Sequence, residues 1–314
     1  MRRSLAALAA VLLLGGAALA QEVKSVFTGA DPFALSAEGK LWVYPTGAGD
    51  RLDSWSSDDE LHWQKHDALL RLKDIRWIDD DRAPRHFLWA PDMLAANGKY
   101  YLYYAVGPQD PSPSRLGVAV CDTPQGPCVD SGKPLLTGGA DAKGGAFEAI
   151  DPMVFVDPKS GRRLLYAGGS AGARLRVFEL APDLETITRE VPIEQPPLFT
   201  EGVFMHERNG VYYLSWSHGH WNRSDYQVLY AMAPSPTGPW KYRGVLLQGD
   251  RKYKGPGHHA FVQDPRTGQW LIVYHRWEGK RGDGPYSDDR HIAIQPITYD
   301  AHGQIEPIKM DDAG

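Results

Sequence analysis

The sequence predicts an all-β fold, a five-bladed β-propeller. A glycine turn followed by an aromatic-rich alternating run recurs five times, with the glycines at positions 39, 98, 161, 210 and 268. Successive glycines are 59, 63, 49 and 58 residues apart, and almost no helical period follows the N-terminal segment. A turn with glycine between two strand-like runs is a hairpin signal, because glycine adopts positive φ without steric cost. A regular repeat of short strands is typical of propeller blades.

Each repeat continues in the same order after its hairpin, with a third strand, a turn and a fourth strand. The third strands are predicted at residues 54–57, 116–120, 175–178, 228–232 and 291–294, and the turns at 58–63, 123–127, 181–184, 235–240 and 300–303. A β-sandwich is the alternative architecture for so many short strands. The regular period and the shared internal order favour five blades of four strands each.

Residues 1–20 are predicted to be a signal peptide. They begin with two arginines after the first methionine, continue with an apolar run over residues 5–14 and end in Ala18-Leu19-Ala20. That order is typical of secretory signals, and the apolar run is too short to span a membrane. The alternative is a buried N-terminal helix. We therefore expect an exported protein, periplasmic or secreted, without a membrane segment after cleavage, and a single domain over residues 21–314.

Charge and cysteine content exclude some classes of function. The formal net charge is -5 with both signs mixed along the chain, which disfavours a nucleic-acid-binding protein. Cys121 and Cys128 are the two cysteines, and an oxidising compartment would allow a disulfide between them. Two buried free thiols are the alternative, and two sulfurs without a neighbouring histidine do not suggest a metal site. The sequence does not indicate an oligomeric state.

The segments that precede the five hairpins carry the chemistry. In a propeller the first strand of each blade lines the central channel, so these segments should meet in one place. They contain Asp31, Asp92, Asp151, Glu201 and the pair His258-His259. Ordinary turn roles are the alternative for an aspartate before proline, and Asp157 and Asp264 are interpreted in that way. Four carboxylates at equivalent positions of four repeats would raise one another's pKa, which suits glycosidic bond cleavage by one protonated and one ionised carboxyl.

The motifs at these positions resemble those of glycoside hydrolase family 43. They are Asp31-Pro32, Trp89-Ala90-Pro91-Asp92, Ile150-Asp151-Pro152, Glu201-Gly202 and Gly255-Pro256-Gly257-His258-His259, within a resemblance over residues 26–309. Members of that family are five-bladed propeller glycosidases that act on plant polysaccharides containing arabinose and xylose. The resemblance implies an inverting hydrolase that releases terminal α-L-arabinofuranosyl or β-D-xylosyl units from polysaccharides or their oligosaccharides.

The resemblance also implies a role for each catalytic carboxylate. By motif position, Asp31 would be the general base that activates water, and Glu201 would be the general acid that protonates the leaving oxygen. Asp151 would hold Glu201 in place and raise its pKa. Because an inverting pair leaves room for water, the two carboxyl groups are expected roughly 6.5–9.5 Å apart.

Further residues are predicted to bind substrate or metal. The substrate contacts expected from the resemblance and from neighbouring positions are Phe33, Trp89, Asp92 and Arg276. A surface ion pair is the alternative for Arg276, a supporting position behind the groups that touch substrate is the alternative for Asp92, and a core position is the alternative for Phe33 and Trp89. His258 matches a histidine that relatives place near a bound calcium ion, and the alternative is a channel histidine without metal. No other cofactor is expected.

Two features of the sequence leave the identity of the substrate undecided. Val203 follows Glu201-Gly202 where many relatives have proline, and the polar loop at residues 217–222 could rim the pocket and alter specificity. The rival enzymes are related propeller glycosidases acting on galactofuranose, galactan, arabinan or fructans. The rival from another class is a carbohydrate-binding propeller without activity. The presence of Asp31, Asp151 and Glu201 together favours an enzyme.

Overall fold

A computed structural model of the chain describes residues 23–140, 146–170 and 172–310, and it confirms the five-bladed β-propeller. The predicted signal peptide lies outside the described residues. Within the described ranges, no helix is long and apolar enough to cross a membrane. The helical content of the described residues is limited to two short 3₁₀ turns, Leu72–Asp74 and Ile78–Asp81, which connect the first blade to the second.

The blades follow one another along the chain, and each is an antiparallel sheet. An N-terminal strand, β1 (Ser25–Thr28), stands before blade one, which contains β2 (Ala30–Ala37), β3 (Lys40–Thr46), β4 (Arg51–Ser57) and β5 (Gln64–Arg71). Blade two contains β6 (Phe87–Ala96), β7 (Lys99–Gly107), β8 (Arg115–Cys121), β9 (Cys128–Asp130) and β10 (Leu136–Thr137). A short pair, β11 (Gly139–Ala140) and β12 (Ala146–Phe147), leads to the next blade.

The remaining blades have the same order. Blade three contains β13 (Met153–Val156), β14 (Arg163–Ala167), β15 (Arg176–Leu180) and β16 (Ile187–Val191). Blade four contains β17 (Glu201–Arg208), β18 (Val211–His218), β19 (Gln227–Ala233) and β20 (Lys241–Leu247). Blade five contains β21 (Lys254–Gln263), β22 (Trp270–Trp277), β23 (His291–Pro296) and, as its outermost strand, β1.

The first and last strands of the chain close the ring. Strand β1 pairs antiparallel with β23, with Thr28 opposite His291. The prediction that the fourth strand of blade five follows the third in sequence was therefore wrong, because the N-terminal segment takes that place. Residues 297–310 form turns, with isolated bridges that pair Leu247 with Ile308 and Tyr299 with Ile305. Opening the ring would break the β1–β23 ladder, so this pairing ties the two chain ends together.

Buried tyrosines in the second strands connect neighbouring blades. Tyr44 donates to the Pro124 carbonyl at 3.0 Å, Tyr103 to the Leu184 carbonyl at 2.7 Å, and Tyr166 to the Pro236 carbonyl at 2.5 Å. Each acceptor lies in the turn after the third strand of the following blade. These rings are fully buried, and the bonds satisfy their hydroxyl groups. Much of the aromatic content therefore belongs to the packing between blades.

The local turn predictions are confirmed. All five hairpin glycines adopt positive φ, and Glu38, Asn97 and Asn209 before three of them do so as well. Asp157 and Asp264 have the predicted turn roles, since each accepts a backbone N–H two residues ahead at 3.1 Å and 2.9 Å, respectively. The two cysteines form a disulfide that joins the ends of β8 and β9.

Candidate active site

A cavity of about 350 Å³ lies where the innermost strands of the five blades converge. Its wall is formed by Asp31, Trp89, Gln109, Ile150, Asp151, Ser170, Glu201, Trp221, His258 and Arg290. This volume is near the lower end of the range for small-molecule pockets, about 300–1,000 Å³. The cavity therefore suits a single sugar unit, and it contains the three carboxylates predicted to be catalytic.

A repeated backbone distortion brings these side chains inward. Each innermost segment has a left-handed residue at the same point beside the cavity: Asp31 (φ 46°), Ala90 (φ 43°), Asp151 (φ 52°), Gly202 (φ 60°) and His258 (φ 42°). The pairing register shifts at this point in blades one, two, four and five. Such bulges redirect side chains, and a non-glycine residue in this region costs about 1–3 kcal/mol. Strain held at equivalent points of a repeat indicates a functional site.

The four acids do not occupy the equivalent positions in their blades that the sequence had predicted. Asp31 and Asp151 are themselves the left-handed residues of their segments, whereas Glu201 comes one residue before the left-handed Gly202 and Asp92 two residues after the left-handed Ala90. Asp92 is 1% exposed, is absent from the cavity wall and accepts the Val154 N–H at 3.0 Å. Burial raises the pKa of Asp92 well above its usual range. Asp92 therefore braces blade three from behind the cavity, which matches its alternative supporting position and not the predicted substrate contact.

Asp31 is held by one cation and one imidazole. Arg290 Nη1 donates to Asp31 Oδ1 at 2.9 Å, and the backbone N–H of Asp31 donates to His275 Nδ1 at 3.0 Å. Burial acts to raise the pKa of Asp31, but the positive charge of Arg290 outweighs it and holds the pKa well below its usual range. Burial also lowers the pKa of His275, so we attribute the ionised state of Asp31 to Arg290.

The pKa values of Glu201 and Asp151 are raised, whereas that of Asp31 is lowered. Tyr226 donates to Glu201 Oε1 at 2.9 Å, and Ser170 donates to Oε2 at 3.0 Å. The Gly202 N–H donates to Asp151 Oδ2 at 2.9 Å. Burial, and then the neighbouring charges of Glu201 and Asp31, raise the pKa of Asp151; burial, and then Asp31, raise the pKa of Glu201. The pair therefore retains a proton at a pH where isolated carboxyl groups would be ionised.

Gly169 leaves space for the side chain of Glu201. A Cβ atom at Gly169 would lie 2.6 Å from the Cβ of Glu201, a distance that real side chains do not tolerate. Gly169 follows β14 and precedes Ser170, which bonds the same carboxyl group. The segment after β14 therefore both accommodates and orients Glu201.

His258 lies between two of the carboxylates. Its Nδ1 is 3.4 Å from Asp31 Oδ1 and 3.7 Å from Asp151 Oδ2. Burial lowers the pKa of His258, which favours the neutral ring at neutral pH. Within the described part of the chain, no group of three or more His, Cys, Asp or Glu side chains is arranged to hold a metal ion. Asp31 is bonded to Arg290 and Asp151 to a backbone amide, so the described side chains around His258 do not form a calcium ligand set. A calcium ion near His258 stays a prediction.

Two predicted substrate contacts lie away from the cavity: Asp92, described above, and Arg276. Arg276 is fully buried, donates to the Val23 carbonyl at 2.6 Å and to Glu278 at 2.8 Å, and stacks 3.4 Å from the Tyr253 ring centre. Neighbouring residues of a strand point to opposite faces, and on β22 it is His275 that reaches Asp31. The prediction for Arg276 was therefore wrong.

The aromatic predictions separate into core and cavity residues. Phe33 packs against Phe204 with ring centres 6.1 Å apart and does not line the cavity, so its alternative core position is the observed one. Trp89 lies in the cavity wall and stacks on Phe87, with ring centres 5.7 Å apart. Trp221 also lines the cavity and is 45% exposed. Sugar contact by Trp89 stays a prediction.

Sequence reasoning missed the groups that orient the carboxylates. Arg290 stands just before β23, Tyr226 just before β19, and Ser170 in the segment after β14. All three lie outside the strands that the repeat marks, so the repeat could not identify them. A search for cationic or hydroxyl residues at the same ends of the strands as the acids would have included them among the candidates.

Comparisons with known proteins agree with this geometry. The family model for glycosyl hydrolases family 43 matches residues 24–305. The β-D-galactofuranosidase of Aspergillus niger is 34% identical over 91% of this chain and 84% of its own length. The xylosidase/arabinosidase 43A of Humicola insolens is 29% identical over 91% of this chain and 98% of its own. A solved α-L-arabinofuranosidase of Clostridium thermocellum is 30% identical, with a TM-score of 0.70 over 90% of this chain and 94% of its own.

Proposed function

Because the chain belongs to glycosyl hydrolases family 43, we propose that it is an inverting, exo-acting glycosidase for terminal α-L-arabinofuranosyl or β-D-xylosyl units. Glycoside hydrolysis follows from the family, and the pentose specificity is supported by relatives such as the Humicola insolens enzyme. The observation that carries the proposal is one small cavity in which Arg290 keeps Asp31 ionised while burial keeps a proton on the Glu201–Asp151 pair. Opposite protonation states of two carboxyl groups are what glycosidic bond cleavage requires.

The proposed reaction uses each group once. Asp31 takes a proton from water as the water oxygen bonds to the anomeric carbon. Glu201 gives its proton to the leaving oxygen as the glycosidic C–O bond breaks, so the reaction requires no further reactant. Tyr226 and Ser170 hold the Glu201 carboxyl group, while burial and then the charge of Asp31 keep its pKa high. Attack from the side opposite the leaving group inverts the anomeric configuration.

Export is part of the proposal. The predicted signal peptide at residues 1–20 and the disulfide between Cys121 and Cys128 both suit an oxidising compartment outside the cytosol. Mass spectrometry of the mature protein after expression with its own N-terminus checks this. A mature chain that retains residues 1–20 would contradict it.

A second candidate specificity is β-D-galactofuranose. The relative from Aspergillus niger, at 34% identity, is a β-D-galactofuranosidase. Galactofuranose and arabinofuranose share the five-membered ring, and galactofuranose adds one carbon to the exocyclic group. A pocket that holds the furanose ring could therefore accept either sugar if the wall leaves space for that extra carbon.

The experiment that tests the proposed function compares aryl glycosides. Wild-type protein is assayed with nitrophenyl α-L-arabinofuranoside, β-D-xylopyranoside and β-D-galactofuranoside, with the β-D-galactopyranoside as the control. We expect turnover of one or both pentosides, and proton NMR of the first product should show the inverted anomer. Turnover of the galactofuranoside alone would favour the second candidate. If none of the three is hydrolysed at any pH, the exo-glycosidase proposal is wrong.

Arg290 gives a prediction about pH. Arg290→Ala removes the strongest of the influences that lower the pKa of Asp31, so this pKa should rise and the acidic limb of kcat/KM should move upward by about 1–3 pH units. The sign follows from the role of Asp31, because a base is active only above its pKa. Arg290→Lys retains the charge and should keep most of the wild-type profile. An acidic limb that stays in place in Arg290→Ala would contradict the assignment.

A further inference from the structure

His275, on β22, lies between the groups that hold the base and the acid, and it stands outside the wall of the catalytic cavity. We propose that it is a positioning residue for both halves of the reaction, because it holds Asp31 through a hydrogen bond and Glu201 through the stacked ring of Tyr226. The inference rests on the proposed function and deepens it. It assigns the relative placement of base and acid to one side chain behind the cavity wall.

The first contact of His275 is with the backbone of the base. The Asp31 N–H donates to His275 Nδ1 at 3.0 Å, and the same nitrogen lies 3.5 Å from Asp31 Oδ1. Asp31 has the strained left-handed conformation (φ 46°), which persists only where surrounding groups hold it. Asp31 belongs to blade one and β22 to blade five, so the bond crosses the place where the ring closes. His275 therefore fixes the direction in which the Asp31 side chain leaves its strand.

The imidazole of His275 makes one hydrogen bond where two are possible. Because Nδ1 accepts a bond, the ring proton lies on Nε2. His275 is fully buried, and its Nε2 has no hydrogen-bond partner among the residues that the structure describes. A phenylalanine here would leave one buried N–H unpaired, that of Asp31, and the histidine also leaves one. The number of hydrogen bonds lost therefore does not favour histidine, whereas the fixed direction of the Asp31 N–H does.

The second contact of His275 leads to the acid. Its ring stacks on that of Tyr226, with centres 5.8 Å apart and planes 3° apart, within the range of offset-stacked pairs. Tyr226 is also fully buried and donates to Glu201 Oε1 at 2.9 Å. Gly257 lies opposite His275 in the sheet, and a Cβ atom there would come within 2.3 Å of the Tyr226 ring. The tyrosine therefore packs against both the β21 backbone and the imidazole, which fix the position of its hydroxyl group.

Two substitutions separate the two contacts. His275→Phe keeps a flat ring that can stack on Tyr226, but it has no acceptor for the Asp31 N–H. His275→Asn keeps an oxygen near the place of Nδ1 and loses the ring. His206→Phe is the matched control, because His206 is also buried and stacked on a tyrosine, Tyr213, with planes 6° apart, and lies outside the catalytic cavity.

The contact with the base is measured with a dinitrophenyl glycoside, whose leaving group departs without an acid. In His275→Phe, kcat should fall about 10²-fold, the effect of misplacing a reacting group by about 1 Å. Azide should restore most of that loss, because it needs no general base: its nitrogen bonds to the anomeric carbon as the C–O bond to dinitrophenolate breaks. The product should be the glycosyl azide of inverted configuration. His275→Asn and His206→Phe should keep most of the wild-type rate without azide.

The contact with the acid is measured by comparing leaving groups. In His275→Asn, Tyr226 loses its stacking partner, so kcat/KM for a disaccharide should fall about five- to tenfold, the scale of one aromatic pair. The dinitrophenyl glycoside should keep its rate, and azide should not restore cleavage of the disaccharide. In His275→Phe, the disaccharide and the dinitrophenyl glycoside should lose the same factor, because only the base is misplaced.

The outcomes separate a positioning role from a structural one. If azide does not restore turnover in a folded His275→Phe, the loss does not act through Asp31 and the inference is wrong. It is also wrong if His275→Asn loses the same factor on both leaving groups. Should His275→Phe not fold, His275→Met, which is closer in volume to histidine and lacks a strong acceptor, must show the same azide rescue on the dinitrophenyl glycoside. Failure of wild type on every aryl glycoside counts instead against the proposed function.

Discussion

Replacing Asp31 with alanine is expected to lower kcat/KM for the preferred aryl glycoside by roughly 10³- to 10⁴-fold, near the upper part of the usual range for a general base. Asp31 is the only carboxylate of the three whose pKa is lowered, because Arg290 is 2.9 Å away. Without it, water in the cavity has no ionised acceptor for its proton. Glu201 and Asp151 cannot take over this role, since both have a raised pKa and lie with the acid.

Controls separate the loss of a base from loss of structure. Asp58→Ala removes an aspartate that pairs with Lys40 at 3.3 Å on the surface, and it should keep kcat/KM within about threefold. Azide should restore turnover in Asp31→Ala, because this anion attacks the anomeric carbon without a general base and gives a glycosyl azide of inverted configuration. Retention of wild-type activity in Asp31→Ala, or a thermal midpoint that collapses together with activity, would contradict the assignment of the base.

The fold could be predicted because each hairpin carries its own local signal. Turns such as Asn97-Gly98 and Asn209-Gly210 are recognisable without knowledge of the rest of the chain, and both residues adopt the positive φ that the turn requires. The closing strand β1 has no such signal. It pairs with β23, more than 250 residues later, so that only the closed ring reveals its partner.

The catalytic residues could be predicted where the left-handed residue of the innermost segment carries a carboxylate or stands next to one. Asp31 and Asp151 are the left-handed residues of their segments, and Glu201 stands next to the left-handed Gly202, so the leading motifs identify all three. Asp92 comes two residues after the left-handed Ala90, where its carboxylate accepts the Val154 N–H of the next blade, and the motif does not show this contact. The arginine of the site is Arg290 and not Arg276, since a loop residue can reach Asp31 from a direction that strand periodicity does not encode.

Replacing Glu201 with glutamine is expected to reduce kcat/KM for unactivated oligosaccharides by roughly 10³-fold, within the range for a general acid. Glutamine retains the size of the side chain and can still bond Tyr226 and Ser170, so the cavity should keep its shape. The substitution removes the proton that the carboxyl group donates to the leaving oxygen. A dinitrophenyl glycoside, whose leaving group departs without protonation, should therefore lose much less activity than a disaccharide, and this contrast distinguishes loss of an acid from general damage.

The pH profile gives a second, independent measure of the same assignment. In wild type the alkaline limb should lie above the ordinary range of a glutamate, because burial and Asp31 raise the pKa of Glu201 and activity is lost as pH rises through it. In Glu201→Gln that limb should disappear for the dinitrophenyl substrate. Glu179→Gln, which changes a glutamate paired with Arg162 at 3.2 Å away from the cavity, should keep both the limb and the rate. An equal loss on both leaving groups, with the alkaline limb unchanged, would assign the proton donor to another residue.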